Sequence, residues 1–346
     1  MMHGWLLRDL PVPSKEAPKV FSCFHCGGGS TMGYKLAGAN VLGGVEIDPN
    51  MMAVYRANHH PKFSYLMSVR DFAKIPVSEL PQELLHIDIL DGSPPCSSFS
   101  MAGARDKKWG DAHKFREGQA EQVLDDLFFD FIDIAKKLQP KVVIAENVKG
   151  LIIGKAKGYV KQIFQKFNDA GFDVQLFLLN AKYMNVPQAR ERTFFIARRK
   201  DLSWPAISLK FDNPLIPAGK AMHGVCGNGR ALTEETRRLW SLTKPGKDLG
   251  KVHKNGSRFN DIVVNPNKPS CTIVASLKPI HWSQPRWLSD AEIIRLQTFP
   301  DDFDFLNQQP SYMCGMSVPP RMMQCVAQAV IAKWFKRDGV PDADRR

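Results

Sequence analysis

From residue 19 to about residue 199, short apolar runs alternate with stretches whose apolar positions recur at helical spacing. Residues 20–24, 41–47, 84–90, 142–146, 174–179 and 193–197 form the apolar runs, and their length predicts strands. Between them the i, i+3, i+4 pattern predicts helices, most clearly over 119–138 and 155–170. Alternation of this kind predicts an α/β fold, a doubly wound and mainly parallel sheet with helices on both faces. Ligands of such sheets lie beyond the carboxyl ends of the strands.

The pattern changes after residue 200. Residues 201–285 are rich in Pro, Gly, Asn and Lys, with short strand signals at 261–264 and 272–274 and no long helical run. They predict a second, smaller and irregular domain. Helical spacing returns at 289–298, and a last helix is predicted from Pro319 and Pro320 to about residue 337.

Composition narrows the partners. With 44% hydrophobic residues in 346, the chain can bury a large core. Its 47 Lys and Arg against 35 Asp and Glu leave a formal charge of +12, which suits a polyanionic partner. Seven cysteines, an odd and scattered set, predict a reduced, intracellular protein rather than a disulfide scaffold. Cys23 and Cys26 make a CxxC without a second Cys/His pair at zinc spacing, so no metal site is expected. No apolar run approaches the roughly 18 residues of a membrane span, and no signal peptide is visible. The expectation is a soluble cytoplasmic protein.

Candidate chemistry lies at the predicted strand ends. Phe24-His25-Cys26-Gly27-Gly28-Gly29 follows the first strand and opens a helix over 31–37. Glycines there let the backbone turn sharply and approach a ligand. Glu46 ends the second strand, where a carboxylate accepts ribose hydroxyls. Asp71 follows the third apolar segment as an acceptor for an adenine amino group. These features fit any adenosine cofactor, NAD included. Gly92-Ser93-Pro94-Pro95-Cys96 follows the strand at 84–90, so two prolines aim a thiol at the ligand crevice. Glu146-Asn147-Val148 ends another strand at the same edge, and Gln188-Ala189-Arg190-Glu191-Arg192 precedes a further one.

In this order, the glycine turn, PPC, ENV, QxRxR and Arg295-Leu296-Gln297-Thr298-Phe299-Pro300 resemble the C5 cytosine-specific DNA methyltransferases of bacteria and phage. Gly315-Met316-Ser317-Val318-Pro319 extends the resemblance over nearly the whole chain, as does Arg286-Trp287-Leu288-Ser289 with Glu292. The resemblance implies a Rossmann-like fold binding S-adenosylmethionine, which leaves as S-adenosylhomocysteine. It also implies a discontinuous catalytic domain over 15–199 and 308–346, and a target-recognition domain over 200–307. Cys96 is then the nucleophile that adds to C6 of a cytosine flipped out of the duplex. Glu146 assists at N3, Arg192 holds O2, and Arg190 supports the thiolate and its loop. Gln188 is expected to be structural. Phe24, Gly28, Gly29, Glu46, Asp71, Pro95, Leu127, Ser317 and Val318 are implied to bind the cofactor. Residues 97–118, with a basic run at Arg105, Lys107, Lys108, Lys114 and Arg116, are expected to form a loop closing on DNA.

Three positions depart from the family pattern. Cys26 replaces the first glycine of FxGxG, Ser22 replaces an acidic residue before Phe24, and Met316 replaces the asparagine of the GNSV turn. The implied partner is double-stranded DNA in a cleft between the domains of a monomer. Arg230, Lys254 and Arg258 are expected to contact it, as phosphate contacts more readily than as base readers. A restriction-modification enzyme and a solitary or phage enzyme both fit. A tRNA cytosine methyltransferase shares the scaffold and stands as the alternative. A catalytically dead binding module would have lost the cysteine or the glutamate, and both are present; a nicotinamide oxidoreductase explains the glycine turn and Glu46 but not PPC, ENV or QxRxR.

Overall fold

The computed structural model describes residues 4–95, 112–113, 122–123, 126–153, 157–225, 227–258, 260–275 and 278–335. The nine strands among them are β1 (Lys19–Cys23), β2 (Asn40–Glu46), β3 (Phe63–Leu66), β4 (Ile89–Gly92), β5 (Ala112–His113), β6 (Gln122–Val123), β7 (Val142–Val148), β8 (Phe172–Asn180) and β9 (Glu191–Arg199). Seven of these form one sheet in the order β3-β2-β1-β4-β7-β9-β8, while β5 and β6 pair only with each other. The strands from β3 to β7 run parallel. β9 is antiparallel to both of its neighbours. The order reverses between β1 and β4, the place where such sheets open a crevice at their carboxyl edge.

Consecutive residues of the central strands feed opposite faces, as the pleat demands. Phe21, Leu90 and Val143 point into one core with Phe72 of α3 (Val69–Lys74), Phe128 and Phe131 of α4 (Leu127–Leu138), and Ile163 and Phe167 of α5 (Lys157–Asp169). Their neighbours Val20, Ile89 and Ile144 point into the other, with Tyr34 of α1 (Gly29–Leu36) and Met322 and Val326 of α10 (Pro320–Val330). The last helix thus returns to pack beside the first. Pro320 opens it at the first turn, where a missing N–H costs nothing, and it runs on as one π-turn over Ile331–Phe335.

A third core joins the sheet to the irregular region. Met32 of α1 and Met51 and Val54 of α2 (Pro49–His59) meet Ala218 of α6 (Ala218–Ala221), Ile273, Leu296 of α8 (Asp290–Leu296), Phe299, and Met313 of α9 (Pro310–Met316). A fourth, small core gathers Leu232, Leu239, Leu249, Val263 and Ile280 under Trp240, Trp282 and Trp287. It holds α7 (Glu234–Leu242), a nine-residue helix opened by Thr233, whose hydroxyl accepts from the Thr236 amide. No helix of that length is expected from the Pro- and Gly-rich composition. In place of the strands expected at 261–264 and 272–274 there are single bridges, such as Val263 with Ile280.

Two further differences are local. The run at 84–90 divides into a 3-10 turn over Gln82–His86 after Pro81 and the short strand β4. β3 escapes the pattern reading because it has only four residues at the sheet edge, none of them buried. Among the described residues no helix is long and apolar enough to cross a membrane.

Candidate active site

Parallel pairing of β4 with β7 sets Gly92 opposite Ala145, which brings Ser93 and Glu146 to one sheet edge. Asn147 then locks the edge. Its Nδ2 donates to the Pro94 carbonyl at 3.0 Å, and its Oδ1 accepts from the Val148 amide at 2.8 Å. The ENV strand end is thereby fastened to the PPC loop two residues before Cys96; Cys96 itself lies outside the described residues, as does most of the basic segment 97–118. Arg192 reaches across from β9 and places its Nε 2.9 Å from Glu146 Oε1, with side chains only 14% and 11% exposed. Burial lowers the Arg192 pKa, and Glu146 opposes that shift.

At the neighbouring edge the chain turns through left-handed backbone at Phe24 (φ 57°), Cys26 (φ 50°) and Gly28 (φ 95°). Glu46 spans this turn and the end of β2. Its Oε2 accepts the Cys26 amide at 2.8 Å, and its Oε1 accepts those of Ile47 and Asp48 at 2.8 and 3.0 Å. Burial raises the Glu46 pKa while these amides pull it down. Cys26 therefore stands where glycine is unstrained, at a cost of about 1 kcal/mol, and its bonded amide offsets part of that. Its thiol, 3.4 Å from Met51 Sδ, is pushed by burial up to about 12, so it stays protonated.

Two histidines missed by the sequence reading hold the inner side of the turn. His25 Nδ1 lies 2.8 Å from the Cys26 carbonyl and His59 Nε2 lies 3.2 Å from that of Gly27, so each of these nitrogens carries the proton. His25 also stacks on Tyr55 with ring centroids 3.7 Å apart. Gly29 is needed for a different contact. A β-carbon there would sit 2.7 Å from Ser317 Cβ and 2.6 Å from the Val318 carbonyl, so only glycine lets the carboxyl-terminal turn close on the first one. Phe24 is half-buried against the core of the α3 face, and Leu127 is buried at the first turn of α4. Met316, at the position of the pattern's asparagine, is 44% exposed and turned away from that contact.

Asp71 lies in the first turn of α3, with its side chain 63% exposed. Its carboxylate accepts from the Ser68 hydroxyl at 2.6 Å and pairs with Lys74 at 3.1 Å. These two groups lower its pKa.

The acid missing from β1 reappears one strand away. Ser22 pairs in register with Asp91 of β4, and its hydroxyl donates to Asp91 Oδ2 at 2.6 Å. Ser30 and Tyr34 of α1 donate to the same carboxylate at 2.8 and 3.2 Å. Burial raises Asp91 to about 6, and nearby Glu146 adds to the effect.

Arg190 is expected to support the thiolate, but Cys96 lies outside the described residues, and the partners seen for Arg190 are backbone carbonyls. Arg190 is 1% exposed, and its two terminal nitrogens find acceptors in the protein backbone, whereas Nε has none among the described residues. Nη1 donates to the Ile273 carbonyl at 2.8 Å; Nη2 donates to those of Gly315 and Ser317 at 2.8 and 3.0 Å. Gln188 is structural, as expected, and fully buried. Of the basic side chains expected to meet DNA, Arg230 and Lys254 are exposed. Arg258 is instead paired with Glu235 at 3.3 Å and Asp261 at 3.6 Å.

These features are those of a known group. The family model described as C-5 cytosine-specific DNA methylase matches residues 19–240 and 221–332. The chain belongs to that family. Its relatives include the Type II methyltransferase M1.HphI of Haemophilus parahaemolyticus, 30% identical over 89% of this chain and 85% of that protein. The Type II methyltransferase M.NgoPII of Neisseria gonorrhoeae is 30% identical over 90% and 95% of the two chains. Among solved structures, a putative DNA modification methyltransferase encoded within a prophage (E. coli) superposes with a TM-score of 0.72 at 20% identity, covering 92% of this chain and all of that one, 100%. The S. pombe Dnmt2 methyltransferase shares the fold, with a TM-score of 0.61 at 14% identity over 91% and 98% of the chains.

In this methylase the late RxLS…E block has a structural explanation. Arg286 grips Glu292 with two bonds of 2.7 and 2.8 Å, and Glu292 also closes a capping box with Ser289 at the start of α8.

Proposed function

We propose that this protein is a DNA (cytosine-5-)-methyltransferase that takes its methyl group from S-adenosylmethionine. Cys96 is the nucleophile, Glu146 the acid at the base, and Arg192 the residue that orients Glu146 and contacts cytosine O2. The observation that carries this reading is the Asn147–Pro94 hydrogen bond, which holds the strand end bearing Glu146 against the loop that leads to Cys96. The Cys96 thiolate adds to C6, negative charge grows on the ring, and a hydrogen bond from the Glu146 side relieves it at N3. C5 becomes nucleophilic, and after it is methylated it loses its proton as the sulfur–C6 bond breaks.

The residues around the glycine turn fit the donor. Glu46 is immobilised by three amides beside the turn. The Ser317 hydroxyl is buried beside the Cys26 thiol without an oxygen or nitrogen partner, the kind of group a bound polar molecule satisfies. When bound, S-adenosylmethionine supplies an electrophilic sulfonium methyl. Phe24, Gly28, Gly29, Glu46, Asp71, Pro95, Leu127, Ser317 and Val318 would hold it, and Arg190 fixes the turn that carries Ser317.

Double-stranded DNA would lie between a catalytic domain over 15–199 and 308–346 and a recognition domain over 200–307, as a one-to-one complex with a monomer in the cytoplasm. Extruding the base costs a few kcal/mol. The test is covalent capture on DNA containing 5-fluorocytosine, alongside methyl transfer to unmethylated plasmid DNA and to tRNA. The expected result is a trapped complex with DNA that vanishes in Cys96→Ala, and no transfer to tRNA. Persistence of transfer in Cys96→Ala defeats the assignment. Bisulfite sequencing of the plasmid then reads the target site.

A further inference from the structure

Five residues close a buried ring of hydrogen bonds that the methylation chemistry does not itself require. Gln188 Oε1 accepts the Ile273 amide at 2.9 Å, and its Nε2 donates to Gln297 Oε1 at 2.7 Å. Gln297 Nε2 donates to the Ser317 carbonyl at 2.8 Å. Arg190 completes the circuit, from the Ser317 carbonyl back to that of Ile273. Both glutamines are 0% exposed.

The ring joins three distant parts of the chain. Gln188 and Arg190 lead into β9, which carries Arg192 and through it Glu146. Ile273 belongs to the irregular region, held beside Gln188 by the Ser270 bridge. Ser317 belongs to the turn that closes on Gly29, where no β-carbon fits. Both polar groups of Ile273 and the carbonyl of Ser317 are saturated by the ring, so none of the three parts shifts without leaving a buried polar group unpaired. Such an orphan costs about 1–3 kcal/mol.

We propose that Gln188 and Gln297 are positioning residues that hold the Ser317–Val318 turn against the glycine turn, so that engagement of DNA by the small domain and occupancy of the methyl-donor site are coupled. This rests on the function proposed above. The coupling is reciprocal: DNA held by the small domain and a donor held at the Ser317–Val318 turn both stabilise the same closed ring, so each tightens the other.

The test uses the full chain and S-adenosylhomocysteine as probe. Its Kd is measured by calorimetry with and without saturating unmethylated plasmid DNA, for the wild type, Gln188→Met, Gln297→Met and the double variant. Each methionine matches glutamine in length, and the singles are made separately so that a folding failure in one leaves the other to decide. The wild type is expected to bind the probe at least about fivefold more tightly with DNA present. Each variant should bring that ratio near one, with the double variant no worse than the singles, because both break one ring. In turnover assays the KM for the donor should rise about tenfold while kcat changes little. A merely structural role would lower the active fraction and leave the ratio intact. An unchanged ratio in the folded variants, or a wild-type ratio of one, overturns the proposal. A wild type that neither binds the probe nor methylates plasmid DNA defeats the underlying function instead.

Discussion

Asp91 is a buried acid whose three hydrogen-bond donors are all hydroxyls, and burial governs its behaviour with pH. Its pKa is raised from 3.8 to about 6, mainly by burial, so the folded state favours the protonated form. The stability this gives is fully present below the unfolded pKa and is lost as pH rises through about 6. The stability of the wild type relative to Asp91→Asn should therefore increase by up to about 3 kcal/mol as pH falls from about 8 to 4. Urea unfolding of the two proteins across that window measures it, and parallel curves would show that Asp91 does not titrate this way. The comparison must be a difference, because His25, lowered to about 4 by burial, works in the opposite direction. Asn147 makes a separate prediction. With Asn147→Ala, Pro94 loses its anchor, and kcat should fall by about 10- to 100-fold, with the stability change under about 3 kcal/mol. Steady-state kinetics beside a thermal melt separates the two effects. None of these contacts is legible in a residue string: Ser22 and Asp91 are 69 positions apart, and only the β1–β4 register makes them partners.

At the level of elements, α8 shows a block of the family resemblance that is architecture. Arg286, Ser289 and Glu292 are packed into one cap, with the Arg286 and Glu292 side chains 15% and 4% exposed. Arg286→Ala leaves a buried carboxylate without its cation and should cost about 3–5 kcal/mol. Arg286→Lys should restore little, since an ammonium cannot make the two parallel bonds. Guanidinium chloride midpoints for the pair test this; full rescue by lysine would mean that charge alone matters. Two helices with strong apolar periodicity, α5 and α10, fall where the pattern puts them within the described residues, whereas α4 fills only 127–138 of the run expected over 119–138, where β6 takes Gln122–Val123 instead. α8 also falls within its expected run at 289–298, but α7 falls in no expected run. α7 depends on Thr233 and on a small core of three tryptophans drawn from residues 240 to 287. β3 is four residues long and exists because β2 offers it an edge.

For the whole molecule, the charge of +12 becomes a prediction about binding. Arg237, Arg238, Lys244, Lys247, Lys251 and Lys254 are all exposed in the irregular region, whereas Arg258 is neutralised by Glu235 and Asp261. The logarithm of the plasmid-DNA affinity should fall linearly with that of salt. Replacing Lys244 and Lys247 by alanine should reduce the slope by about one for each phosphate the protein no longer neutralises. Arg258→Ala should leave the slope unchanged. Filter binding from low to moderate salt measures both, and a slope insensitive to the two lysines would move the DNA-binding face elsewhere.

The sequence by itself determined the α/β fold, the strand ends at which PPC and ENV stand, and the family, because hydrophobic period and short motifs are local properties of a chain. Gln188 could be read as structural, but its partners could not. Arg190 shows what only the tertiary structure decided. Two arginines two positions apart look alike in the string, yet one meets Glu146 and the other donates to the backbone carbonyls of Ile273, Gly315 and Ser317. Which acceptor a buried donor finds is set by strand register and by how the chain's ends pack, and burial makes that choice binding, since a guanidinium removed from water can draw only on the acceptors the fold brings within reach.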